Sequence, residues 1–212
     1  MERLLIIGNG FDERYGLNTS VGNYREILMS KQTYDGFCSL NYFESYSVDW
    51  CNFEESLSEF CVDDFALDNI KYPNYSSDHE SDRDYGITYN QTAIEVLKKN
   101  IMDSLTEMVY NANLLLSERH AYLEDIRLID SADYIINFNY TSTIERLFGR
   151  SCYHIHGCLE EGTKLIFGYK NSVECSIRHE LNDSLDNHDY YVDEQKKEIL
   201  DFYDNLKKDY QK

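Results

Sequence analysis

A single proline, Pro73, interrupts this chain of 212 residues. That scarcity, with 19 tyrosines and 10 phenylalanines, excludes a proline-rich disordered polymer and predicts an ordered, aromatic core. Basic residues are also few: 20 against 39 acidic, a net charge of −19. That balance repels a phosphate backbone, so double-stranded nucleic acid is not an expected partner. No apolar run approaches the roughly 20 residues of a membrane helix, so no membrane partner is expected. The first apolar run is too short for a signal peptide and meets glycine at once, which predicts a cytoplasmic protein. The six cysteines, at 38, 51, 61, 152, 158 and 175, contain no C-x-x-C pair. A zinc ribbon is therefore not supported, and free thiols in a reducing compartment are the simplest reading.

What is present begins at Leu4-Leu-Ile-Ile7, a short continuous apolar run followed by Gly8-Asn9-Gly10. Continuous apolarity predicts a parallel strand covered on both faces. A strand that meets a glycine turn exposes backbone N–H groups suited to a pyrophosphate. The spacing is not G-x-G-x-x-G, because the next glycine is Gly16, and no Gly-Lys-Ser/Thr follows. A tight turn with no ligand is the alternative.

Ser20 or Asn23 is placed to cap a helix through Tyr24, Ile27 and Leu28. Trp50, Phe53, Leu57 and Phe60 recur at helical spacing as a core stripe, which leaves Glu54 pointing away and solvated. Residues 72–90 are polar and acidic, and read as an exposed loop or lid. The stripe Ile94, Leu97, Ile101, Leu105, Met108, Ala112, Leu115 predicts a long helix from Thr92 to Leu116. A shorter helix spans Tyr122 to Leu128.

Further strands are expected at Tyr134–Phe138, Cys152–Ile155 and Leu165–Phe167, with a capped helix between Thr141 and Gly149. A charged helix from Val192 to Tyr210 closes the chain. The fold class expected is therefore α/β: one domain, 1–212, with a mostly parallel sheet, a helical insertion at about 20–125 and a charged helical segment at about 190–212. In open α/β sheets the ligand crevice lies outside the carboxyl ends of the strands. Asn9, Asp12, Asn139, Thr141 and His156 all fall there.

His154 and His156 lie two apart on a predicted strand and would face one side. A metal site is one reading of that spacing, but no third ligand is apparent, so no metal is expected. His156 as a general base or orienting group is the other reading. Simple strand-end capping by Asn139 and His156 is the bland alternative to both.

The order Ile6-Ile-Gly-Asn-Gly-Phe-Asp12, Trp50-x-x-Phe-Glu54, Phe138-Asn-Tyr-Thr141, His154-Ile-His-Gly157 and Ile166-Phe-Gly168 resembles the AbiH family of bacterial abortive-infection proteins. The resemblance covers roughly residues 1–170 and implies an anti-phage role. More remotely, Gly8, Gly10 and Gly16, Asn139-Tyr140 and His156-Gly157 resemble sirtuin-like NAD-binding domains, which implies a Rossmann-like sheet. In that resemblance the Asn and the His serve cleavage of NAD at the nicotinamide ribose. It implies Asn139 and His156 as catalytic residues and Gly8, Gly10 and Gly16 at the cofactor; Asn9, Phe11, Asp12 and Thr141, at the glycine turn and the strand end, complete the expected cofactor-binding set. Two departures stand out: Thr141 occupies the place of an acid, and Asn18-Thr19-Ser20-Val21 replaces Pro-Asp-Phe-Arg. With no zinc ribbon, deacylation is not implied. NAD glycohydrolase activity is the expectation, and a nucleotide-sensing assembly module without catalysis is the alternative. A metal-dependent hydrolase or nuclease built on His154 and His156 is a third reading. The expected partners are NAD or a related nucleotide, and a second copy of the chain or a partner protein of a defence system.

Overall fold

The structure is a computed structural model and is described for residues 2–46, 57–168, 175–182 and 189–206. Trp50, Phe53, Glu54 and Tyr210 lie outside the described residues. In chain order the elements are β1 (Leu4–Ile7), α1 (Asn9–Arg14), α2 (Val21–Met29), α3 (Ser39–Ser45), α4 (Val62–Asn69), α5 (Glu80–Leu115), α6 (Leu123–Asp130), β2 (Tyr134–Asn137), α7 (Thr143–Phe148), β3 (Tyr153–His154), α8 (Ser176–Asn182) and α9 (Tyr190–Asn205). The chain divides into two compact units, residues 1–27 with 103–167, and 28–102 with 168–212.

The first unit is α/β. Its sheet has three parallel strands in the order β1-β2-β3. Ile7 pairs with Asn137, and Asn137 with His154, so all three carboxyl ends reach one edge. One face packs on a core of Ile7, Ile129, Ala132, Ile135 and Ile144, with Leu5, Phe11 and Phe148 against it. Among the described residues the other face is largely uncovered. Leu4 is 56% exposed, Ile6 62% and Tyr153 65%, so the expectation that β1 is covered on both faces does not hold. The run Leu4–Ile7 behaves as an alternating strand whose outward residues happen to be apolar.

The expected strand at Leu165–Phe167 does not form, and the third strand is shorter than Cys152–Ile155. The Ile166 N–H donates to the His156 carbonyl at 2.8 Å, but the Ile166 carbonyl accepts from the Tyr140 hydroxyl at 2.9 Å. A side chain thus takes the acceptor that a ladder would need.

Ser20 caps α2 by accepting from the Asn23 N–H at 3.2 Å. Gly149, at φ 64, ends α7.

The second unit is helical and aromatic. Phe60 packs against Tyr46, Phe65, Phe202 and Tyr203. The fully buried Gln195 bridges its segments: Oε1 accepts from the Lys71 N–H at 2.8 Å, and Nε2 donates to the Lys71 carbonyl at 2.9 Å. Asn90 Nδ2 also donates to Gln195 Oε1, at 2.7 Å.

The helix α5 begins at Glu80, not Thr92, so the second half of the expected loop at 72–90 is helical. Acidic Glu80 and Asp82 suit its first turn. Gly86 lets it approach closely, since a Cβ there would lie 2.7 Å from the Lys71 carbonyl oxygen. Among the described residues, no helix is long and apolar enough to cross a membrane.

Gly157 has φ 81, and a Cβ there would lie 2.3 Å from the Lys164 carbonyl oxygen. Gly162, at φ 66, would meet nothing within 4 Å. Gly157→Ala therefore combines backbone strain with overpacking and should cost about 2–4 kcal/mol. Gly162→Ala carries only the strain and should cost about 1–2 kcal/mol. Denaturant midpoints of the two variants measure the difference. Equal costs would mean that the Lys164 segment yields freely.

Candidate functional site

The carboxyl edge of the sheet brings together the segments after β1 and β2. Gly8 precedes α1 in an extended conformation, φ −133, and Gly10 lies inside the helix; neither has a positive φ. Their lack of a side chain supplies space instead. A Cβ at either position would meet no described atom within 4 Å outside its own surroundings. Asn139 Nδ2 donates to the Gly8 carbonyl at 3.1 Å, and the Asn139 N–H donates to Asn137 Oδ1 at 2.9 Å. The Nδ2 of the fully buried Asn137 has no hydrogen-bond partner among the described residues.

Asp12 is 1% exposed. Its Oδ2 accepts from Thr141 Oγ1 at 2.6 Å, and its Oδ1 from Thr143 Oγ1 at 2.7 Å. Burial pushes this carboxyl above its ordinary pKa, and the bonds from Thr141, Thr143 and Asn139 only partly restore it.

The remaining predicted residues are dispersed around this pair. Asn9 is exposed, donating to Glu13 Oε1 at 3.1 Å and accepting from Thr19 Oγ1 at 2.7 Å. Phe11 packs on Tyr15 and Phe148. Gly16, at φ 68, terminates α1 at the end away from Gly8, with its N–H donating to the Glu13 carbonyl at 2.9 Å. His156 lies past the end of β3, and its ring meets Phe138 and Tyr140 at 5.6 and 5.7 Å between centroids.

The two histidines have different neighbours, because β3 ends at His154 and the chain turns at Ile155. His154 faces α7. Its Nε2 lies 3.4 Å from Glu145 Oε1 and 3.4 Å from Cys152 Sγ, and Cys152 Sγ lies 3.0 Å from Glu145 Oε1. Its Nδ1 meets the Asn139 carbonyl at 3.1 Å. The His154 side chain is 2% exposed.

Burial alone would depress the His154 pKa, but the sulfurs of Cys152 and Cys158, the Glu145 carboxylate and the Asn139 carbonyl raise it. Burial likewise opposes ionisation of Glu145, and the bonds from His154 and Cys152 hold it below the ordinary carboxylate range. Cys152 and Glu145 were not singled out from the sequence. The available signal was Cys152-x-His154, two residues apart and so on one side of a strand.

A family profile described as bacteriophage abortive infection AbiH matches residues 4–212, nearly the whole chain. The chain belongs to the AbiH family. Membership supports a bacterial anti-phage role in abortive infection. No curated protein and no solved structure matches the chain.

The Asp12 environment generates a pH test in this AbiH protein. A carboxyl raised by folding keeps its proton where the unfolded chain has lost it. Stability from this group is therefore complete below the unfolded pKa and is lost as pH rises through the folded one. Asp12→Asn removes that dependence. Paired chemical denaturation from acid to neutral pH should show the wild type losing stability relative to the variant. A pH-independent difference would contradict the assignment.

Proposed function

We propose that this AbiH protein is an abortive-infection effector that binds NAD at the carboxyl edge of its sheet and hydrolyses the bond between nicotinamide and ribose. The observation that carries this reading is the open space at Gly8 and Gly10, with Gly8 held by Asn139 just past the end of β2 at Asn137. Phosphate oxygens need close backbone approach, and glycine permits it. The orphan Asn137 amide donor next to that edge adds support, since a buried donor left unpaired costs about 1–3 kcal/mol.

In the reaction, water attacks the C1′ carbon of the nicotinamide ribose. The C–N bond breaks, its electron pair neutralises the pyridinium nitrogen, and the proton of the water goes to a base. His156 is assigned as that base or as the group orienting the ribose. Asn139 is assigned a positioning role, because its amide holds the Gly8 carbonyl. The engaged amide also favours a second reading, a nucleotide-sensing module that binds without turnover.

His156→Ala should lower NAD cleavage about 10²–10⁴-fold and relieve toxicity in cells. Gly10→Val should abolish NAD binding and lower the melting temperature little, since a Cβ added at Gly10 meets no described atom within 4 Å beyond its own helix. Nicotinamide release, calorimetric titration with NAD and thermal melts read these out. Binding without nicotinamide release, with infection-derived factors present, selects the sensing module. No binding by the folded wild type overturns both readings.

A further inference from the structure

The Glu145, Cys152 and His154 cluster takes no part in the proposed NAD chemistry, and although Cys152 packs at the margin of the sheet core, its thiol faces Glu145 and His154. From its geometry we infer that it is a divalent-metal site of the zinc type, with the Cys152 thiolate, His154 Nε2 and the Glu145 carboxylate as ligands. Sulfur, imidazole nitrogen and carboxylate oxygen together form a borderline donor set that suits zinc. Zinc bonds of about 2.0–2.3 Å at tetrahedral angles place ligand atoms about 3.3–3.6 Å apart. The three separations here are 3.4, 3.4 and 3.0 Å, so an ion needs shifts of only a few tenths of an ångström.

Three further features point the same way. The His154 Nδ1 meets the Asn139 carbonyl, which accepts its proton and leaves the Nε2 lone pair for a metal; backbone carbonyls commonly orient ligating histidines in this way. The second carboxylate oxygen, Glu145 Oε2, is buried with no hydrogen-bond partner among the described residues. It is available for bidentate ligation or for holding a metal-bound water. One thiolate and one carboxylate also balance the charge of a dication. Binding displaces the Cys152 thiol proton and any proton on Nε2 to solvent.

The test uses the full chain, purified without a histidine tag, stripped with chelator and dialysed against Zn²⁺. The wild type and the Cys38→Ser control should each retain one zinc per chain. Cys152→Ser and His154→Ala should lose at least about 100-fold in affinity, beyond the range set by outer-shell changes. Co²⁺ in the wild type should give a thiolate-to-metal charge-transfer band that Cys152→Ser lacks. Zinc should raise the melting temperature of the wild type.

If either variant fails to fold, Glu145→Gln is the informative variant, because its side chain is 27% exposed and the substitution preserves shape. It should keep the cobalt–thiolate band and bind more weakly. A folded wild type that takes up no zinc, or zinc retained equally by Cys152→Ser, His154→Ala and Glu145→Gln, overturns the proposal.

Discussion

The buried carboxylate of Asp12 is the constraint on which the site depends. It sits one turn into α1 and holds Thr141 and Thr143, so it ties the segment after β1 to the segment after β2. Hydrogen bonds to a charged group contribute about 1.5–3 kcal/mol each. The raised pKa says that burial still outweighs the bonds Asp12 receives. The same contact gives a reason for a hydroxyl at Thr141. An acid there would face Asp12 within hydrogen-bond range, and two buried carboxylates cannot both ionise cheaply. A hydroxyl donor satisfies Asp12 instead.

Asn139 is the second joint. Its amide holds the Gly8 carbonyl, while its own carbonyl faces His154 Nδ1. The glycine edge and the Glu145–Cys152–His154 cluster therefore share one residue. Asn139 reaches the first through its side-chain amide and the second through its backbone carbonyl.

Continuous apolarity located β1 and β2, and the apolar stripe located most of α5. Periodicity failed where a single side chain decided the outcome. Leu165–Phe167 has a strand composition, but Tyr140 takes the carbonyl of Ile166. The polar segment from Glu80 to Asn90 carries little apolar signal, yet Gly86 allows it to pack tightly as helix. Leu4 and Ile6 are apolar and exposed, so hydropathy alone misjudged one face of the sheet. That Gly8, Asp12, Asn139 and Thr141 would meet was legible because they follow strands, and the structure joins Asn139 to Gly8 and Thr141 to Asp12. Gly16 matched by spacing but serves as a helix terminator. Glu145 was not legible, since its meeting with Cys152 and His154 depends on how α7 returns to β3; Cys152 lay within reach of alternation, two residues before His154. Both histidines looked equivalent by alternation, and the turn at Ile155 separates them.

The central claim is that the carboxyl edge of the parallel sheet is a nucleotide site. Crystals of the chain soaked with NAD, or with a non-hydrolysable analogue, test it most directly. The account predicts the pyrophosphate beside Gly8 and Gly10, with the nicotinamide ribose toward His156. A nucleotide bound elsewhere on the chain, or that edge left empty at saturating ligand, would contradict it.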